Sequence, residues 1–389
     1  MTVPLLAGAA FFSAAALRIC DAMLPRLASD FSVTPGTAGQ VIIWFAVAYG
    51  LVQLLFGPMG DRYGKARLVR LALAGCAGAS LASALAPDFQ VLVWTRVAWG
   101  IAAAGVIPLA MAWIGDTVPY DQRQVTLARL LTGTISGMMA GQLAGGFFAE
   151  SAVGWRAAFL CLSVGYSVVA LLLMAQARQI HASIAAPVAA ASRVPMSQQL
   201  LYVLRLPWAR VVLLAVLAEG FFLLGPLSYL PTYLHVRHEL PLSTASALAA
   251  LNAVGGLVYA FTARHIVARF GEWRMVLAGG WLMGIGFLAW WVSAVPLLSG
   301  LIALVVGFGT FLYHNTLQTH ATQMVPAARG TSVAVFASFL FTGQALGVTA
   351  AGYVVDRFGF TPVLLSAAVA LPFVGRSFAR GLQRRSAGD

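Results

Sequence analysis

Long uncharged, apolar stretches alternate with short polar segments along almost the whole chain. A helix that crosses a bilayer needs roughly 20 apolar residues, and each stretch has about that length. The pattern predicts twelve membrane-spanning helices, at 5–28, 38–58, 69–86, 91–115, 125–149, 157–176, 211–234, 243–264, 275–293, 297–323, 331–354 and 361–379. The composition agrees, because only 9% of the 389 residues are charged, against about 25% in soluble domains. The predicted fold class is therefore an all-α membrane protein.

Basic residues are distributed unevenly over the polar segments. With the N-terminus on the inner side, 18 of the 24 Lys and Arg fall in inner segments and four in outer ones, while Arg18 and Arg96 lie inside spans. The positive-inside rule then predicts that both termini are cytoplasmic. We expect the membrane to be a bacterial cytoplasmic (inner) membrane. The net charge of +12 follows from this topology. We therefore predict contact with membrane lipid and no nucleic-acid partner.

Glycines, prolines and one acidic position recur at a spacing of 206 residues. The recurring pairs include Pro35 and Pro241, Gly137 and Gly343, Gly141 and Gly347, Gly146 and Gly352, and Glu150 and Asp356. This repeat predicts two pseudo-symmetric six-helix bundles, residues 1–176 and 211–379, with the substrate site between them near the midplane. Residues 177–210 are predicted to be a cytoplasmic linker with a surface helix near 196–204, and 380–389 a cytoplasmic tail.

A short glycine-rich and basic motif separates the second and third predicted spans. Residues 57–67 read Gly-Pro-Met-Gly-Asp-Arg-Tyr-Gly-Lys-Ala-Arg. The glycines permit a sharp turn, and we expect Asp61 to lie in this turn, just before the next helix. The motif resembles the signature loop of the major facilitator superfamily; the alternative is an ordinary basic turn. The resemblance implies a cytoplasmic gate formed by Gly57, Asp61, Arg62, Gly64, Lys65 and Arg67.

Two further segments are similar to motifs of the same superfamily. In the fourth span, Arg96 is followed by Trp99 and Gly100, with Trp99 in place of the family's Gln. The fifth span resembles the antiporter motif of drug efflux members, with Gln where the family has Pro; its residues are Gly137, Gly141, Gln142, Gly145 and Gly146. Close helix packing is an alternative explanation of these glycines, and Arg96 could instead reach the outer headgroups.

The resemblance covers the whole chain and implies the major facilitator fold, two six-helix bundles that alternate access to a central site. In its motifs the chain is most similar to the twelve-helix drug:proton antiporter branch. The family's usual state, a monomer, is expected here.

Ionisable residues inside the spans are the candidates for function. A charge at the bilayer centre costs about 2.5–3.5 kcal/mol on insertion scales, so each such residue must face protein or water. Arg18 and Asp21 share a helical face, and Pro25 removes the helical partner of the Asp21 carbonyl. Glu219 precedes a predicted break at residues 225–226.

The tenth span carries a histidine, His314, and two amides, Asn315 and Gln318, which can share one helical face.

We predict proton coupling by Asp21, Glu219, Arg18 and Arg96. The predicted substrate cavity contains Arg18, Asp21, Arg96, Gln142, Glu219, His314, Asn315 and Gln318. Two alternatives stay open: Arg18 and Asp21 can be a neutralised structural pair, and His314 a hydrogen-bonded packing residue.

The sequence contains no nucleotide-binding loop, metal-ligand cluster or nucleophile–base arrangement, so we predict no enzyme activity, no cofactor and no metal. The energy source must then be an ion gradient. We predict a proton-coupled secondary active transporter that exports a small, partly apolar solute or drug by alternating access. The alternatives are proton-coupled uptake of a small organic anion, attracted by Arg18 and Arg96, and a non-transporting membrane receptor or scaffold.

Overall fold

The structure is a computed structural model that describes residues 2–180, 196–325 and 329–386. These residues form seventeen α-helices and one π-helical turn, Gly220–Leu224, without any β-strand. The helices are α1 Thr2–Arg18, α2 Leu24–Asp30, α3 Pro35–Ala38, α4 Gln40–Tyr63, α5 Lys65–Ala84, α6 Phe89–Ala103, α7 Val106–Thr117, α8 Tyr120–Glu150, α9 Gly154–Ile180, α10 Met196–Arg205, α11 Pro207–Glu219, α12 Gly225–Ser228, α13 Leu230–His238, α14 Leu242–Val292, α15 Leu298–Gln323, α16 Arg329–Phe358 and α17 Thr361–Ser386.

Twelve membrane crossings can be traced through these helices. Eight helical segments of the described chain are long and apolar enough to span a membrane. One of them, α14, has non-helical angles at Gly271 (φ 69°, ψ 166°) and therefore makes two crossings. The remaining three are α1 with α2, the more polar α5, and α8. The predicted all-α membrane fold is confirmed.

Two helix ends differ from the prediction. Helix α4 continues to Tyr63, so Asp61 lies within this helix and not in a turn, as we had expected. The turn consists of Gly64 alone, whose φ of 86° suits a residue without a side chain. Helix α17 continues to Ser386, and the predicted tail is helical up to that residue. In the predicted linker, α10 occurs as a separate helix, while residues 181–195 lie outside the described ranges.

We call α1–α9 the N-half and α11–α17 the C-half, since one apolar core lies mainly in the first set of helices and a second core lies mainly in the other set. The basic end of the molecule is the end where Gly64, Gly271 and Arg385 lie, and the opposite end is the one with Asp88 and Glu150. Gly64 and Gly271 both have positive φ, so the turn inside α14 has the same kind of glycine backbone as the turn between α4 and α5.

Close helix contacts reproduce the 206-residue repeat in three dimensions. Glycines of α8 lie against backbone carbonyls of α1, and glycines of α16 lie against backbone carbonyls of α11 and the π-helical turn. The pairs are Gly137 with Phe11, Gly141 with Ala15, Gly343 with Leu217, and Gly347 with Phe221. Adding 206 to both residue numbers of an N-half pair gives the corresponding C-half pair. The repeat therefore reflects a shared helix-packing geometry, which permits close backbone approach.

The two spans that carry candidate acids are both interrupted. Residues 19–23 form a turn between α1 and α2, two residues before Pro25. The seventh span changes from α-helix to a π-helical turn directly after Glu219, and Pro226 follows in α12. Such breaks occur frequently at functional sites.

We predict that Gly137→Ala lowers the melting temperature, because its Cβ would overlap the Phe11 carbonyl oxygen. Relieving such an overlap costs about 1–3 kcal/mol. The matched control is Gly78→Ala in α5, where an added Cβ meets no atom within 4 Å; helix propensity alone makes this change neutral or stabilising. Thermal unfolding in detergent compares the two variants. Equal melting temperatures would show that the close α1–α8 contact is not needed.

Candidate functional site

A cavity of about 200 Å³ lies between the N-half and the C-half. Its wall is mostly apolar and includes Met138, Phe311 and Phe341. The polar residues that line it are Arg18, Asp21, Gln142, Glu219, Asn252, Thr310, His314 and Gln344. Five of the eight residues predicted for the substrate cavity are thus brought together, from both halves of the molecule.

The N-half contributes an ion pair to this cavity. Asp21 lies in the turn between α1 and α2, and its Oδ2 accepts a hydrogen bond of 3.2 Å from Arg18 Nη1. The Asp21 side chain is only 1% exposed, against 19% for Arg18. The second oxygen, Oδ1, is buried without a hydrogen-bond partner. Asp21 therefore has one acceptor satisfied by Arg18 and one left for a proton or a ligand donor.

The C-half contributes a carboxylate that is paired with histidine. Nδ1 of His314 lies 3.0 Å from both carboxylate oxygens of Glu219, whose side chain is 1% exposed. An ionised carboxylate only accepts hydrogen bonds, so Nδ1 carries the proton when Glu219 is ionised. The tenth span reaches Glu219 because α15 packs beside α11. Unlike the guanidinium of Arg18, which stays charged, the imidazole of this partner can bind or release a proton.

Helix α8 presents different residues to α1 and to the cavity. Its glycines at 133, 137 and 141 face the backbone of α1, and Gly145 faces the backbone of Ile19 in the turn that follows. Gln142 is 7% exposed and lines the cavity. Gly146 instead contacts Leu242 and Ser246 of α14 in the C-half. The segment of α8 that resembles the antiporter motif thus packs closely against α1, places an amide in the cavity and contacts the other half.

Arg96 does not line the cavity, which differs from our prediction. Its Nε donates to the Val41 carbonyl at 3.1 Å and its Nη2 to the Ala16 carbonyl at 3.2 Å. The guanidinium carbon lies 4.1 Å from the ring centre of Phe45 and 4.8 Å from that of Trp99. The side chain is 1% exposed, so it does not extend to the headgroups either. Arg96 thus donates to the backbone near the end of α1, where the carbonyl groups of a helix have no partner within the helix.

Asn315 and Gln318 also lie outside the cavity lining, contrary to our prediction. Asn315 is about 100° around the helix from His314 and is half-buried. Gln318 shares the face of His314 but lies one turn closer to the basic end, where it is exposed. Gln318 thus lies on the predicted helical face, but at a different depth in the membrane from the cavity.

The predicted gate residues interact within the N-half. Nζ of Lys65 lies 2.5 Å from Asp116 Oδ2 at the end of α7 and 3.6 Å from Asp61 Oδ1. Arg62 stacks on the Tyr63 ring. An added Cβ at Gly57 or Gly64 would meet no atom within 4 Å, and Arg67 is exposed. These contacts join the second, third and fourth spans at the basic end, and a gating role for them stays a prediction.

Three polar cavity residues were missed from the sequence: Asn252, Thr310 and Gln344. Each lies within an apolar span, where an uncharged polar side chain is a usable signal. The signal is weak because other polar residues of the same kind, such as Asn315, do not face the cavity.

Comparison with known proteins assigns this architecture to a family. The family model of the Major Facilitator Superfamily matches residues 6–348. The uncharacterized MFS-type transporter YceJ of Bacillus subtilis is 26% identical over 356 residues, 88% of each chain. The multi-drug resistance efflux pump PmrA of Streptococcus pneumoniae is 24% identical over 86% of this chain and 84% of PmrA. The chloramphenicol resistance protein of Streptomyces lividans is 32% identical over 142 residues, 36% of each chain.

Two solved structures share the fold over nearly the whole chain. The nucleoside transporter NupG has a TM-score of 0.75 at 13% identity and is matched over 97% of this chain and 98% of its own. A D-xylose-proton symporter has a TM-score of 0.74 at 14% identity, over 97% and 95%. Because the family model spans most of the sequence, the chain belongs to the Major Facilitator Superfamily. It is an integral membrane transporter and not an enzyme.

We predict that Arg96→Lys lowers the melting temperature although the charge is retained. A lysine ammonium does not reproduce the planar, two-directional hydrogen bonding or the ring stacking of the guanidinium. Losing hydrogen bonds from a buried charged group costs about 1.5–3 kcal/mol each.

The control for this variant is Arg156→Lys. Arg156 also donates to a carbonyl, that of Ala86 at 3.0 Å, and stacks on Trp155, but it is only half-buried. Its replacement should lower the melting temperature less. An unchanged melting temperature in Arg96→Lys would contradict the structural role assigned to Arg96.

Proposed function

We propose that this protein is a proton-coupled antiporter that exports a small, partly apolar solute or drug by alternating access. The observation that carries the proposal is the placement of two carboxylates, Asp21 from the N-half and Glu219 from the C-half, in one cavity. Both are 1% exposed. Ionisable groups inside a membrane protein are costly and mark ion or substrate pathways. A site shared by both halves is also the site that rocking of the halves alternately exposes.

The chemistry of the cavity supports a partly apolar solute. Apolar side chains form most of its wall, and a few polar groups are available to orient a ligand. Two relatives, a multi-drug resistance efflux pump and a chloramphenicol resistance protein, support export. We propose that the basic end is cytoplasmic, as the positive-inside rule predicts, and that the protein works as a monomer in a bacterial cytoplasmic membrane.

The proposed coupling is competition between protons and substrate. With both carboxylates ionised, Arg18 neutralises the charge of Asp21, and His314 donates a hydrogen bond to Glu219. The free Asp21 oxygen can accept a hydrogen bond from substrate. Protonation of a carboxylate removes its charge, weakens its ion pair and removes an acceptor. A proton that enters from outside thereby favours release of the substrate, and loss of that proton to the cytoplasm restores the binding state.

The alternatives have less support. Uptake of an organic anion requires free positive charge, whereas Arg18 is paired with Asp21 and Arg96 donates to backbone carbonyls. A receptor or scaffold does not require a cavity shared by the two halves with a carboxylate from each.

We predict that Glu219→Gln abolishes transport driven by a pH gradient while substrate exchange without a gradient continues. Glutamine keeps the size and an acceptor oxygen but binds no proton at physiological pH. Proteoliposomes with an imposed pH gradient and a panel of antibiotics and fluorescent amphipathic dyes give the measurement.

The chain provides a matched control in a second Glu–His pair. Glu272 Oε2 lies 2.9 Å from His320 Nε2 near the basic end, and neither residue lines the cavity. Glu272→Gln should keep gradient-driven transport close to the wild-type rate. Gradient-driven transport by Glu219→Gln at the wild-type rate would exclude Glu219 as a coupling residue.

We also predict that a transported compound releases protons from detergent-solubilised protein, and that Asp21→Asn releases fewer. The reason is that substrate and proton compete for the same carboxylate. The control is Asp30→Asn, since Asp30 pairs with Arg26 at 2.8 Å and with Trp155 at 2.9 Å, away from the cavity. Proton release is measured with a pH indicator in weakly buffered solution. If wild type binds a compound without releasing protons, the shared-site mechanism is wrong.

A further inference from the structure

At the opposite end, the last residue of α8 forms a hydrogen bond between the halves. Glu150 Oε1 accepts a short hydrogen bond from the backbone N–H of Leu242, the first residue of α14. The N-cap residue of α14 is Pro241, whose side chain makes no hydrogen bond to the start of the helix. A glutamate of the N-half thus caps a C-half helix.

A second acid makes the corresponding contact in the reverse direction. Asp356 Oδ1, in α16 of the C-half, accepts from the backbone N–H of Gly36 at 2.9 Å. Its other oxygen, Oδ2, accepts from the Thr34 hydroxyl at 2.5 Å. Gly36 lies in the first turn of the helical segment Pro35–Tyr63, which belongs to the N-half. An aspartate of the C-half thus caps an N-half helix.

The two contacts are copies of each other in the repeat. Adding 206 to Glu150 and to Gly36 gives Asp356 and Leu242, so donor and acceptor exchange halves. Gly146 and Gly352, one turn before each acid, let the paired helices approach closely, because an added Cβ would contact Leu242 and Gly36 respectively. Both members of the repeat have kept the carboxylate and the glycine.

The physical basis is the unsatisfied start of a helix. The first N–H groups of a helix have no internal partner and carry partial positive charge, so a carboxylate there makes a charge-assisted hydrogen bond. Pro35 and Pro241 lack an N–H, which makes the following residue the first available donor. Each acid binds that donor. Separation of the halves at this end must break both bonds.

We propose that Glu150 and Asp356 form a symmetric pair of latches, each a carboxylate bound to a helix N-terminus of the other half. Together they stabilise closure of the opposite end and both release when the cavity opens there. Apolar contacts support the same closure, since Tyr229, Leu242 and Val348 of the C-half belong to the N-half core cluster. The inference concerns the motion of the halves and does not depend on the substrate or on proton coupling.

The chain contains the same chemistry within one half, which supplies a control. Asp88 Oδ1 accepts from the backbone N–H of Val91 at 2.9 Å and caps α6 at the same end of the molecule. Donor and acceptor here both belong to the N-half. Removing the charge of this cap weakens a helix terminus without weakening a bond between the halves.

The test measures the distance between the halves at the opposite end. Spin labels are attached at Val153→Cys in the N-half and Val236→Cys in the C-half, both well-exposed positions. The three native cysteines, Cys20, Cys76 and Cys161, are replaced by alanine. Double electron–electron resonance on the full chain in nanodiscs then gives the ratio of separated to closed molecules.

Glu150→Gln and Asp356→Asn remove the charge at nearly constant size, so the fold should be retained. Each amide keeps an acceptor oxygen but loses the charge that strengthens the hydrogen bond to the helix N-terminus. Each variant is therefore expected to raise the ratio of separated to closed molecules about fivefold. The double variant should raise it by about the product of the two changes, and Asp88→Asn should leave it unchanged. Thermal unfolding of the same variants verifies that they are folded.

Two results would overturn the proposal. One is an unchanged distance distribution in the folded double variant. The other is an equal increase of the ratio in Asp88→Asn, which would indicate general loosening of this end rather than release of bonds between the halves.

Discussion

A charge inside a membrane protein must find its partner within the protein, because the bilayer core offers none. The charged groups near the midplane meet this constraint in three ways. Arg96 donates to backbone carbonyls and stacks on aromatic rings. Asp21 pairs with Arg18, and Glu219 pairs with His314. Arg96 is enclosed by one half, whereas the two acids line one cavity between the halves. We propose that substrate and protons compete there with the protein partners of these acids.

The repeat separates structural residues from those proposed for transport. Residues that determine how the helices approach one another are repeated, as in the pairs Gly137 with Gly343 and Glu150 with Asp356. The cavity acids are not repeated: the counterpart of Glu219 is Ser13. The two halves thus share a packing geometry. The side chains that the two halves contribute to the cavity differ, so the cavity is chemically asymmetric.

The sequence predicted the features that depend on length, hydropathy and backbone-special residues. The twelve spans, the interruption near Pro25 and the internal repeat follow from such local properties. The rotation and depth of polar residues could not be predicted, because spans that are apolar on all sides give no periodicity from which to orient them. Arg96, Asn315 and Gln318 were therefore placed wrongly in the cavity.

Contacts between segments that are distant in the chain also could not be predicted from the sequence. The repeat identified Glu150 and Asp356 as equivalent acids, but their partners are fixed only by packing of one half on the other. The same holds for His314, whose bond to Glu219 joins helices 95 residues apart. The sequence showed which residue types were unusual for a membrane span, and the structure was needed to show which of them meet.

The most direct test of the central claim is an infrared titration of the protonated-carboxyl band in reconstituted protein. If Asp21 and Glu219 are water-reachable proton sites, the band should rise and fall with bulk pH. Part of it should disappear in Asp21→Asn and another part in Glu219→Gln, and a transported compound should reduce the wild-type band. A band that does not respond to pH, or that both substitutions leave intact, would contradict the account.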